Sequence, residues 1–171
     1  LEVDEVTVRV PQEIRNLAEP LRLWQTGIVD QQRRLGRYVM TGAISFSGLS
    51  NAMDRSQVAI SRGESSAYKS MSQIATAMRL HHLINCLLSQ GISASREVLD
   101  RMEIGEDGSK KSVLAFLRDP RIRELRKSIS EMGESHSKMG AVRRLVRERI
   151  RRGVDSRVIV FASYRDTVSS L

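Results

Sequence analysis

The sequence predicts an all-α body flanked at each end by a short β-strand. Three observations carry this. Through most of the 171 residues, apolar side chains recur at three- and four-residue spacing, the period of a helix that seats one face on a core. Aromatic residues make up only 4% of the chain, and the apolar content is dominated by Leu, Ile, Ala and seven Met, which lean towards helix. The period drops to two only near the start, and a β-branched run occurs only near the end.

Val6, Val8 and Val10 alternate with polar residues over Val3–Val10, the pattern of a half-buried strand. Pro11 opens a helix, where a missing N–H costs nothing. Ile14, Leu17, Leu21, Trp24 and Ile28 line one face of it, Pro20 is expected to kink or divide it, and the polar stretch Asp30–Arg37 continues it. Gly42–Gly48 reads as a loop, after which Asn51 caps a short helix that Gly63 ends.

From Ser65 or Ser66 to Gln90 runs the longest unbroken element, with Met71, Ile74, Ala75, Met78, Leu80, Leu83, Ile84, Leu87 and Leu88 covering more than one face. A helix apolar over most of its circumference sits at the centre of a core, so this one is the expected hub. Ser93 or Ser95 caps the next helix, and Gly105–Ser109 forms a turn. Val113–Leu117 makes a short helix. Asp119-Pro120 starts another, carried by Ile122, Leu125, Ile129 and Met132 to Gly133. A last helix spans about Ser137–Arg152, with Met139, Val142, Val146 and Ile150 on one stripe. Arg157–Phe161 then reads as a buried strand, followed by the first turns of a helix from Asp166.

Charge is distributed very unevenly along this scaffold. The net charge is +8, and residues 118–152 hold 12 basic against 5 acidic groups, whereas residues 1–117 are nearly balanced. Concentrated positive charge favours a polyanion, because each neutralised phosphate releases a counterion. The alternative is a solvated arginine-rich face.

Arg143, Arg144, Arg147 and Arg151 fall on an arc about 100° wide, beside the apolar stripe of the last helix. Arg121, Arg123, Arg126 and Lys127 belong to the helix before it. With no aromatic residue in either helix, base stacking is not the expected mode, and phosphate contact is.

Other chemistries find little support. The sole cysteine, Cys86, excludes an internal disulfide and a four-cysteine zinc site, and its leucine neighbours make it a core residue. His81 and His82 are adjacent, about 100° apart on a helix, and cannot readily share a metal. There is no phosphate-binding glycine loop, no acidic metal cluster, and no acid–base or nucleophile constellation. The expectation is no catalytic residue, no metal and no cofactor in these residues. No apolar stretch reaches the roughly 20 residues of a membrane span and no signal peptide is evident, so a soluble intracellular chain is expected.

Three segments carry a resemblance to a known family. Ser156-Arg157-Val158-Ile159-Val160-Phe161-Ala162-Ser163-Tyr164-Arg165-Asp166-Thr167 resembles motif IV of superfamily-2 helicases, in the form of the archaeal Hef helicase–nucleases and the related Fanconi anaemia M translocase. Met78-Arg-Leu-His-His-Leu-Ile-Asn-Cys-Leu-Leu-Ser-Gln-Gly91 is similar to a family helix reading Leu-His-His through Gln-Gly. His136-Ser-Lys-Met139 is similar to the family's His-Pro-Lys-Met stretch, with Ser137 in place of Pro, and Thr7–Pro11 matches the exit from the first RecA-like domain. Ala162-Ser163 replaces the commoner Thr-Asn after the motif IV Phe.

The resemblance implies a thumb-like helical insert between two RecA-like motor domains. Residues 1–10 would be the exit strand of the first, 11–154 the insert, and 155–171 the start of the second, with Phe161, Ser163, Tyr164 and Arg165 in motif IV. It implies a non-catalytic role in gripping forks and Holliday junctions for DNA repair and replication restart. ATP and Mg would be bound elsewhere in a parent helicase, one fused to an XPF-like nuclease in some relatives, in an archaeal, nucleoid-associated setting. Strand-mediated self-association of the fragment is a further expectation. The alternative function is a structural spacer or protein-docking module between motor domains.

Overall fold

The computed structural model describes residues 6–105, 110–133, 137–153 and 157–160. Among them are seven helices: α1 Gln12–Arg34, α2 Phe46–Ser61, α3 Ser66–Ser89, α4 Ile92–Ile104, α5 Lys111–Arg118, α6 Pro120–Glu131 and α7 Ser137–Arg152. The body is all-α, with α3 as its hub. Helices α1, α2 and α4 pack on α3, while α5 and α6 pack on α4 and on each other, with α6 also reaching α1.

The hub follows from the residues that α3 buries. Its first half buries Ala67, Ser70, Ile74 and Ala77 along one face. Its second half buries Leu80, Leu83, Ile84, Cys86 and Leu87, which at 100° per residue span about 160° of the circumference. Ile14, Leu21 and Val29 of α1, Leu49 of α2, Val98 and Leu99 of α4, Phe116 of α5 and Ile122 and Ile129 of α6 complete one continuous core.

Helices α1 and α3 run antiparallel and are joined by a polar seam that the apolar pattern does not announce. Gln25 donates from Nε2 to the Ala77 carbonyl at 3.1 Å, Gln32 to Gln73 Oε1 at 2.8 Å, and Gln73 to Gln31 Oε1 at 3.1 Å. Just beyond α1, the buried Arg37 donates to Ser70 Oγ and to Glu64 Oε2, each at 3.1 Å. Bonds between buried polar groups fix the register as well as the distance, since any slip would strand a donor or acceptor away from water.

Several boundaries differ from expectation. Pro20 does not divide α1: it lies exposed within the helix, and burial of Ala18 and Leu21 on either side keeps the chain helical. The polar stretch leaves the helix after Arg34, three residues before Arg37. Ser45, not Asn51, caps α2, its Oγ accepting from the Gly48 N–H at 3.0 Å. Gly91 turns the chain at φ 105°, a left-handed conformation open to glycine, and α4 begins directly after it at Ile92. Ser95 is therefore not a cap; it is buried and donates back to the Gly91 carbonyl at 2.7 Å.

Neither predicted terminal strand is formed among the described residues. Val6–Val10 and Arg157–Val160 carry no regular structure, and no ladder joins them. A strand needs a hydrogen-bonded neighbour, and a helical body offers none.

Gly48 shows how closely α2 approaches the loop before it. A Cβ there would lie 2.7 Å from Cζ of Tyr38, whose ring is buried and whose hydroxyl accepts from the Ser45 N–H at 3.3 Å. Gly48→Ala is expected to destabilise the domain by roughly 1–3 kcal/mol through overpacking, read as a lowered thermal midpoint.

Candidate nucleic-acid interface

Helix α7 is the most exposed of the seven helices along its described length, with Ala141 its one buried described residue. Val142 and Val146 beside it are half-buried. Its expected apolar stripe is thus only partly seated, since Ile150 remains 55% exposed, and Leu145, outside that stripe, is 45% exposed. Val158, Ile159 and Val160 lie along this side, forming a shallow crevice with Val142, Leu145 and Val146. The Met139 side chain falls outside the described residues.

Arg143, Arg144, Arg147 and Arg151 are all exposed, on the arc of α7 beside this stripe. They form a cationic ridge about 100° wide: Arg143, Arg147 and Arg151 follow one another at four-residue spacing, and Arg144 lies three residues before Arg147 at its edge. Glu148 instead pairs with Arg152, one turn along. Nothing in this ridge positions an acid or base for bond-breaking, but a row of exposed cations along a helix suits a phosphate backbone.

The predicted cations of α6 divide into two kinds. Arg123 and Lys127 are exposed, one turn apart, opposite the buried Ile122, Leu125 and Ile129. Arg121 and Arg126 are engaged within the chain. The Arg121 guanidinium donates to both carboxylate oxygens of Asp119 at 2.9 Å, which holds the Asp119 carboxyl below its usual range. That guanidinium also lies 3.7 Å from the centroid of Trp24, which itself stacks on Phe116 at 5.7 Å. The resulting cation–ring–ring pile ties α1, α5 and α6 together. Arg126 bridges Glu103 Oε2 at 2.7 Å and Asp100 Oδ1 at 3.0 Å, fastening α6 to α4 and raising its own pKa.

Sequence reasoning missed a further set of cations. Arg79 of α3, Arg101 of α4 and Lys110 before α5 line one cleft. They come from three separate segments, so no local spacing announces them. Cys86 is buried in the core, as its neighbours imply. Burial lowers the pKa of both His81 and His82, reinforced for His81 by His82 and for His82 by Arg101. Motif IV residues Phe161, Ser163, Tyr164 and Arg165 lie outside the described residues. Among the described residues no group of three His, Cys, Asp or Glu side chains could hold a metal ion, and no helix is long and apolar enough to cross a membrane.

In fold and in sequence the chain is similar to parts of helicases. The fold matches part of the crystal structure of the Pyrococcus furiosus Hef helicase domain, with a TM-score of 0.79 at 24% identity, over 99% of this chain and 36% of that one. In sequence, the chain is 29% identical over 104 residues to a Methanocaldococcus jannaschii protein named "Putative ATP-dependent RNA helicase". That alignment covers 61% of this chain and 13% of the curated relative. No protein-family model matches the chain.

Proposed function

We propose that this chain is the non-catalytic, thumb-like DNA-binding insert of an ATP-dependent branched-DNA helicase related to the Fanconi anaemia M translocase. It grips the arms of forks or Holliday junctions through basic helices. The insert comprises residues 11–154, and residues 1–10 and 155–171 belong to the flanking RecA-like domains. ATP and Mg are handled by those motor domains, in a parent protein of the archaeal nucleoid that carries an XPF-like nuclease in some relatives.

The observation that carries this reading is the ridge of four exposed arginines on α7. Likeness in fold to a helicase domain supplies the context. Phosphate contacts position a protein without reading bases, so recognition of a junction would come from the geometry of its arms.

A gel-shift series with fork, Holliday junction and linear duplex, each over a range of salt, tests it. The expected result is tighter binding to the branched forms, with log affinity falling by about 0.9 per log unit of salt for each phosphate neutralised on duplex DNA. Binding to none of the three would reject the reading.

A second reading, a spacer or docking module between motor domains, is favoured by the exposed apolar side chains of Leu145 and Ile150 on α7. It expects no salt-dependent DNA binding.

A further inference from the structure

Arg126 of α6 bridges two carboxylates of α4, donating to Glu103 Oε2 at 2.7 Å and to Asp100 Oδ1 at 3.0 Å. At 100° per residue it stands about 60° round α6 from the exposed Arg123 and about 100° from the exposed Lys127. The bridge therefore lies on the α4 flank of the outward cationic face of α6. Asp100 is 50% exposed and Glu103 58%, so an anion approaching Arg123 and Lys127 meets the field of both carboxylates.

Stability alone gives this bridge little purpose, because ion pairs so accessible to water contribute little to it. The seam between α4 and α6 is held by other means. Leu99 and Ile129 are buried in it, and Arg96 of α4 donates from Nη2 to the Ile129 carbonyl at 2.7 Å. That cation also suits the partial negative charge at the C-terminal end of α6. What the bridge does change is the charge beside Arg123 and Lys127. Two carboxylates and one guanidinium sum to −1, against −2 without Arg126.

We infer that Arg126 is a positioning residue for the DNA-binding face of α6. It holds Asp100 and Glu103 as ion pairs beside Arg123 and Lys127, and so lets a phosphate backbone reach those two cations. This rests on the DNA-binding reading and gives Arg126 no phosphate of its own. In water, a unit charge about 10 Å away, one helix diameter, alters the affinity for a phosphate about twofold. With one phosphate on each of Arg123 and Lys127, loss of the Arg126 charge should weaken binding about fourfold at low salt.

The test uses the 171-residue chain and forked DNA over a range of salt, with circular dichroism and a thermal melt of each variant. Arg126→Gln should bind the fork about fourfold more weakly at low salt. Arg126→Lys keeps the charge and should bind close to wild type. The deciding variant combines Arg126→Gln with Asp100→Asn and Glu103→Gln, so that cation and carboxylates go together. It should bind at least as tightly as wild type, with a salt slope no flatter, because Arg123 and Lys127 keep their phosphates.

A slope flattened by about 0.9 in the triple variant would make Arg126 itself a phosphate contact and overturn the inference. A folded triple variant as weak as Arg126→Gln overturns it too, since no carboxylate is left to repel the backbone. So does a triple variant that binds weakly and melts well below wild type, which would make the bridge a structural latch. In each of these cases the wild-type chain still binds the fork, and the DNA-binding reading stands. A wild-type chain that binds no fork overturns both.

Discussion

Truncating Leu87 or Leu83 to alanine is expected to cost about 2–5 kcal/mol of stability, among the largest single-residue effects in this domain. Both side chains are fully buried on the half of α3 that meets the core from several directions. Removing three carbons there loses their transfer free energy and leaves a cavity that neighbouring helices cannot close without breaking their own contacts. For a chain of this length, about 2–4 °C of midpoint accompanies each kcal/mol, so the melt should fall by roughly 4–20 °C. Leu23→Ala provides the contrast, since Leu23 is 65% exposed and its loss should shift the midpoint little. An unchanged melt for both Leu83→Ala and Leu87→Ala would mean that the core does not centre on α3.

The hub was legible in the sequence because a helix surrounded on several sides must be apolar on several sides, and Leu80–Leu88 satisfies this. The same logic placed α6 at Asp119-Pro120, where the Asp119 carboxylate accepts from the Arg121 N–H at 2.9 Å. What escaped were features whose cause lies far along the chain. Gln25 and Gln32 occupy buried positions of α1 that an apolar template counts as polar, and only their partners on α3 justify them. The start of α2 was misplaced because Gly42–Gly48 looks like a loop, although Gly48 is inside the helix where Tyr38 needs the room.

Period-two alternation at Val6–Val10 is a statement about faces, and a strand also requires a neighbour, which the described residues do not supply. For the candidate interface, helical spacing placed Arg143, Arg144, Arg147 and Arg151 on one exposed face. Spacing alone could not separate Arg123 and Lys127, which face solvent, from Arg121 and Arg126, which neutralise carboxylates two residues away and on another helix.

The arginine ridge has the largest expected effect on binding. Arg143→Ala with Arg147→Ala removes two exposed cations one turn apart and should weaken fork binding by about tenfold to a hundredfold at low salt. The plot of log affinity against log salt should flatten by about two units, because two fewer counterions are released from duplex phosphate. A phosphate carries no base identity, so the loss should be the same for any sequence of the arms. Stability should change little, since neither side chain is buried, and circular dichroism of the double variant should confirm an intact fold. Glu148→Gln works in the opposite direction. It removes the carboxylate that pairs with Arg152 beside the ridge, freeing one cation and lifting a repulsion, so affinity should rise and the salt slope steepen. A folded double variant that binds forks with wild-type affinity and slope would reduce the ridge to a solvated face. The exposed Leu145 and Ile150 would then make α7 a docking surface for the motor domains instead.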